Sequence, residues 1–147
     1  MIYWFTGQPA HGKTTLARKL LKYHKDVYGE KIKTISIDED DIQSLLNKLP
    51  FKHFRKKTKL AQEIAHFMHN RGYDVYVSLI SPYIDLREEF KDIMKSDLKE
   101  FYVYCSKERE KDGLKIKHYQ EPKENFTIID TTEDSIEQSL VKILQEI

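Results

Sequence analysis

The sequence predicts an α/β fold in three layers, with a five-stranded parallel sheet covered by helices on both faces. Short runs of β-branched and aromatic residues alternate along the chain with segments whose apolar residues recur at helical spacing. Such alternation implies right-handed crossovers between parallel strands. In addition, Gly7-Gln8-Pro9-Ala10-His11-Gly12-Lys13-Thr14 fits the phosphate-binding pattern G-x-x-x-x-G-K-[ST]. It lies directly between the first apolar run and the first helical segment, the setting that gives this short pattern its meaning. Together these features predict a P-loop NTPase-type fold, in a single domain over residues 1–147.

The elements follow in order. Ile2–Thr6 is a short apolar strand, and Lys13–Tyr28 is a helix with Leu16, Leu20 and Leu21 on its inner side and Gly29 at its end. Lys33–Ile37 is the second strand and Asp40–Lys48 the second helix. Phe54–Asn70 is a third helix whose Leu60, Ile64, Phe67 and Met68 form a buried stripe, closed by Gly72. Asp74–Leu79 is the third strand; Ser81-Pro82 turns the corner into a helix over Tyr83–Lys95, with Pro82 near its first position. Phe101–Cys105 and Phe126–Asp130 are the last strands, and Glu133–Glu146 the last helix. The charged stretch Lys107–Glu124, holding Gly113 and Pro122, reads as a loop or short lid.

Composition narrows the function classes. Charged residues make up 33% and hydrophobic ones 39%, which suits a folded globular chain. A net charge of +1 provides no global field to recruit nucleic acid or a membrane surface, and no basic stripe tracks a backbone. Cys105 is the sole cysteine, so no intrachain disulfide forms; it reads as a small buried hydrophobe. No signal peptide and no membrane-length apolar run is visible, so a cytoplasmic location is the default expectation.

The phosphate loop carries the chemistry most directly. Gly7 and Gly12 let the backbone curl so that its N–H groups face phosphate oxygens, with the dipole of the next helix behind them. Lys13 reaches the β- and γ-phosphates, and the Thr14 hydroxyl ligates Mg²⁺, with Thr15 beside it. The expected cofactors are therefore ATP and Mg²⁺. Asp38-Glu39-Asp40-Asp41 ends the second strand near this loop. Such acids hold Mg²⁺ or accept a proton from an attacking hydroxyl, and they also cap helices. We expect both uses here, with Asp38 and Asp40 in the chemistry and Asp41 in the cap. Ser81 either bonds a substrate or caps the helix after it, the cap being the simpler reading. Arg55 stands out in the basic opening Phe54–Lys59 as a contact for an anionic substrate, while its neighbours read as a solvated face. His66 and His69, one turn apart, are expected to face solvent rather than hold a metal. Asp130 reads as a turn or cap residue.

These residues in order resemble the adenylylsulfate kinase family. The similarity rests on Gly7–Thr15, on Ile37-Asp38-Glu39-Asp40, and most specifically on Val77-Ser78-Leu79-Ile80-Ser81-Pro82-Tyr83 followed by Asp85 and Arg87. Further matches are Tyr102–Cys105, Glu108-Arg109 before Gly113-Leu114, and Tyr119-Gln120-Glu121-Pro122 leading to Ile129-Asp130-Thr131. The resemblance implies a kinase moving the γ-phosphate of ATP to the 3′-hydroxyl of adenylylsulfate, with a homodimer as a family habit. It implies that Gly7 to Thr15 hold ATP and Mg²⁺, and that Asp38 or Asp40 sits by the metal and the hydroxyl. Phe51 and Arg55 would contact the acceptor, Ile80, Ser81 and Pro82 would line its pocket, and Arg109 would belong to the lid. Ser81 matches a serine that carries phosphate in some members. Two departures stand out. Gln43 replaces the arginine of the family's D-G-D-x-x-R, and the lid segment between Gly113 and Tyr119 is short. These leave open a kinase of the same fold acting on another nucleotide conjugate or small hydroxyl compound. A nucleotide-binding module without an acceptor is the third alternative.

Overall fold

A computed structural model of the chain describes residues 1–107 and 115–147. Among them, β1 (Ile2–Thr6), β2 (Lys33–Asp38), β3 (Tyr73–Ser78), β4 (Leu98–Tyr104) and β5 (Thr127–Asp130) form one sheet in the order β2-β3-β1-β4-β5. Every pairing is parallel; β1 is central, with Ile2 opposite both Val75 and Leu98. The helices are α1 (Lys13–Tyr28), α2 (Glu39–Leu45), α3 (Phe54–Asn70), α4 (Ile84–Met94) and α5 (Ile136–Leu144).

Side-chain alternation on the strands builds two cores. Ile2 and Trp4 of β1 and Val75 and Val77 of β3 pack with Ile42, Ala61, Ala65 and Phe90, so α2, α3 and α4 cover one face. Tyr3, Phe5, Tyr76, Phe101 and Val103 point the other way, onto Leu16 and Leu20 of α1 and Leu140 and Ile143 of α5. A strand covered on both faces must be apolar throughout, which is why β1 reads Ile-Tyr-Trp-Phe-Thr. The predicted three-layer architecture is the observed one.

The boundaries moved for identifiable reasons. α2 ends at Leu45 rather than Lys48, because Pro50 disfavours a helical Leu49 and the chain turns instead. α5 begins at Ile136, since Ser135 and Gln138 form a reciprocal capping box that leaves Glu133 outside. β4 starts at Leu98, three residues early, hidden in the sequence by Glu100, a buried acid. Phe67 lies outside the expected stripe on α3: it is 56% exposed, with the Arg71 guanidinium 5.0 Å above its ring. His69, expected in solvent, is half-buried between the chain's amino terminus and Asp97.

Candidate active site

The phosphate loop runs from β1 to α1. Gly7 has φ 143°, and a Cβ there would lie 2.2 Å from the Val103 carbonyl oxygen, so only glycine lets the loop pass β4. Gly12 is the residue before α1 and takes a left-handed conformation, φ 99°. Lys13 is buried, and its Nζ donates to the Gln8 carbonyl at 2.7 Å. The Gln8 side chain reaches across to Ile116, donating to its carbonyl and accepting from its amide, both at 2.8 Å. Pro9 and Ala10 complete the bend, with Ala10 at φ 62°, and the His11 ring packs edge-on to Tyr104. Thr14 Oγ1 lies 3.2 Å from Ser78 Oγ at the end of β3, and Thr15 is exposed.

Burial pushes the Lys13 ammonium down to about 8, against the opposing pull of the Glu39 carboxylate. A lysine lowered on folding keeps its proton longer in the unfolded chain. Between about 8 and its ordinary value, this group's contribution to stability therefore rises with pH. Phosphate oxygens restore the charge, so binding of ADP at a pH of about 8.5 is expected to take up a fraction of a proton. Calorimetry in two buffers of different ionisation enthalpy measures this uptake. The same uptake in Lys13→Met would show that another group supplies it.

The acids at the end of β2 divide their work. Asp38 is the N-cap of α2: its Oδ1 accepts from the Asp40 and Asp41 amides, and its Oδ2 pairs with Arg18 at 3.0 Å. Asp41 takes the expected part in the cap by accepting from the Asp38 amide, but the N-cap position itself, expected to serve chemistry alone, belongs to Asp38. Chain direction decides this, because the side chain before the first helical turn reaches its free N–H groups. Asp40 is exposed on that first turn. Glu39 turns inward. Its Oε1 accepts from Lys57 Nζ at 3.0 Å and its Oε2 from the Ile80 amide at 3.2 Å.

An aromatic cluster adjoins the phosphate loop. Phe54, Ile80 and Ile116 are buried together, with Tyr83 and Tyr119 packed against them. Phe51 is 41% exposed and meets Phe54 edge-on at 5.8 Å. Arg55 lies over the Tyr83 ring at 4.5 Å and grips both carboxylate oxygens of Asp85. Gln43 faces elsewhere: its Nε2 donates to the Leu49 carbonyl, and its Oε1 has no partner among the described residues. Thr6 joins loop and cluster, donating to the Ile80 carbonyl and sharing a bond with the Tyr119 hydroxyl at 2.9 Å.

Ser81 caps no helix. α4 follows Tyr83 without a side-chain cap, and Ser81, at φ 38°, turns its hydroxyl into the core. There it accepts from Trp4 Nε1 and donates to Thr6 Oγ1. Pro82 is buried beside it and accepts from the Gln120 amide. Arg109 lies outside the described residues. Asp130 makes its turn by accepting from the Thr132 amide, and the Thr132 side chain, with that amide, holds its carboxyl below the usual range. Lys57 was overlooked in sequence because it stands in a basic run that reads as surface, yet its side chain is fully buried. An apolar residue three positions before it and the acid at position 39 are the only hints.

Comparison with known proteins agrees with this fold. The family model for adenylylsulphate kinase matches residues 1–143. The adenylyl-sulfate kinase of Staphylococcus epidermidis is 30% identical over 98% of this chain and 82% of its own length. That of Thermodesulfovibrio yellowstonii is 29% identical over 99% of this chain and 76% of its own. The structure of the Mycobacterium tuberculosis APS kinase in complex with AMPPNP and APS superimposes with a TM-score of 0.78 at 19% identity, covering 98% of this chain and 95% of that one. A gluconokinase from Sinorhizobium meliloti shares the fold more distantly, at a TM-score of 0.60 and 11% identity over 98% and 89% of the two chains. With its phosphate loop and a family match over nearly its whole length, the chain belongs to the adenylylsulphate kinase family and is an ATP-dependent kinase.

Proposed function

We propose that this kinase transfers the γ-phosphate of ATP to the 3′-hydroxyl of adenylylsulfate. The observation that carries the reading is the junction of two half-sites. Thr6 and Gln8, on either side of Gly7, bond directly to Ile80, Tyr119 and Ile116 of the aromatic cluster. An acceptor stacked against that cluster would lie beside the phosphate loop. In-line transfer needs little from the protein beyond such positioning and neutralised charge.

In this reading Lys13 holds the β- and γ-phosphates, and Asp40 accepts the hydroxyl's proton. Phe51 and Arg55 border the acceptor with Ile80 and Pro82. Ser81, turned into the core, sets the shape of the corner. Mg²⁺ fits the oxygen donors at the carboxyl ends of β2 and β3, where Thr14 meets Ser78 and Asp38 pairs with Ser78 in register. Among the described residues no three His, Cys, Asp or Glu side chains gather to cage a metal. Thr14 and Asp38 would therefore share the ion with water and the nucleotide, and it would neutralise charge on the phosphoryl oxygens.

Gln43 favours a second reading. Its side chain is spent on Leu49 and offers the acceptor no guanidinium. An acceptor lacking a second strong anion, such as another nucleotide conjugate or a small hydroxyl compound, would suit that loss. A coupled assay of ADP release decides between the readings. Stimulation by adenylylsulfate supports the first. Stimulation by other hydroxyl compounds and not by adenylylsulfate supports the second, and no stimulation across the panel points to a nucleotide-binding module.

A further inference from the structure

The Glu39 carboxylate sits where two donors from different elements converge. Lys57 Nζ of α3 approaches one oxygen, and the Ile80 amide at the β3–α4 corner approaches the other. Both donors border the aromatic cluster proposed to hold the acceptor. The ammonium lies 4.1 Å from the centre of the Phe51 ring and 5.7 Å from that of Phe54, and Ile80 packs on Phe54. Lys57 is fully buried while Glu39 retains 19% exposure, so the acid is the partner with room to leave. It occupies the first position of α2, beside exposed Asp40 and Asp41. One turn further along α2, Gln43 carries no charge and points away. Arg55 is already held on both oxygens of Asp85.

A buried ammonium and a free-ended amide aimed at one carboxylate are the parts of an anion-binding site. We infer that Lys57 Nζ and the Ile80 amide seat the acidic group of the acceptor, a sulfate or phosphate oxygen, and that Glu39 is an internal carboxylate occupying this seat until the acceptor displaces it. The inference rests on the aromatic cluster being the acceptor's. It makes Lys57 and Glu39 specificity-determining residues. A neutral nucleoside cannot replace the carboxylate without leaving the Lys57 charge buried and unpaired, whereas an anion restores both hydrogen bonds.

The test is calorimetric titration of the whole chain, with ADP and Mg²⁺ present, against adenylylsulfate, adenosine 5′-phosphate and adenosine. Glu39→Gln keeps the shape and removes the competing charge. It is expected to bind both anionic probes about tenfold more tightly, with adenosine unchanged. Lys57→Met is expected to bind the two anionic probes about tenfold more weakly. The double variant Glu39→Gln/Lys57→Met is neutral at both positions, so it maintains the fold if either single change does not, and it should bind the anions as weakly as Lys57→Met. Unchanged or weaker binding of the anionic probes by Glu39→Gln overturns the inference, as does an equal shift for all three probes. Failure of the adenylylsulfate reading looks different. In that case wild type does not phosphorylate adenylylsulfate, yet the variants still separate anionic from neutral probes.

Discussion

Lys13→Met is expected to lower phosphoryl transfer by about 10²–10³-fold, the usual cost of removing one preorganised charge from the reacting group. The melting temperature should hold or rise. Lys13 is a buried cation whose contact is a carbonyl 2.7 Å away, and methionine fills similar space without a desolvated charge. Steady-state ADP release with a working acceptor measures the rate, and thermal unfolding measures the fold. A rate within threefold of wild type would remove Lys13 from the catalytic machinery. Lys13→Arg should not rescue, because the loop closes tightly on a narrow ammonium and a planar guanidinium needs a wider fork.

The largest stability effect is expected at Arg87, which is 3% exposed. Its Nε donates to Glu100 Oε1 at 2.8 Å, and its two terminal nitrogens donate to the Ser81 and Gln120 carbonyls. The guanidinium also lies 5.4 Å from the Tyr119 ring centre. Lys91 pairs with the other Glu100 oxygen at 2.8 Å. Arg87→Met leaves Glu100 with half its compensation inside the protein and strips two carbonyls of their donor. We expect a loss of about 3–5 kcal/mol, the range for breaking a buried pair by removing one partner. Urea denaturation should show a lower midpoint at unchanged slope. Arg87→Met/Glu100→Gln should recover part of the loss, because the orphaned charge is gone. A loss below about 1 kcal/mol would place the pair among surface ion pairs in its energetics.

The fold was legible because its information is periodic. Each strand and helix announced itself through spacing, and β1 through a run too apolar for any half-exposed position. The phosphate loop was legible for a related reason: a bend that skirts the Val103 carbonyl has no tolerance for a side chain at position 7. What stayed hidden depends on the third dimension. Nothing in Asp38-Glu39-Asp40-Asp41 says which acid caps and which turns inward; the exit angle of β2 into α2 decides it. Ser81 read as a cap because serine before a helix usually is one, but the positive φ at the corner turns its hydroxyl toward Trp4. Lys57 and Glu100 read as surface for the same reason: each is a buried charge, and its partner lies 18 or 13 residues away in sequence.

The sheet order carries a consequence for refolding. β1 is separated by long stretches of chain from both strands that flank it, since these begin at Tyr73 and Leu98. Until those strands pair with it, Ile2–Thr6 is an uncharged, aromatic, β-prone segment with both edges open. Parallel pairing across such separations is slow to nucleate, and open strands of this composition seek other partners meanwhile. Refolding yield should therefore fall steeply with protein concentration.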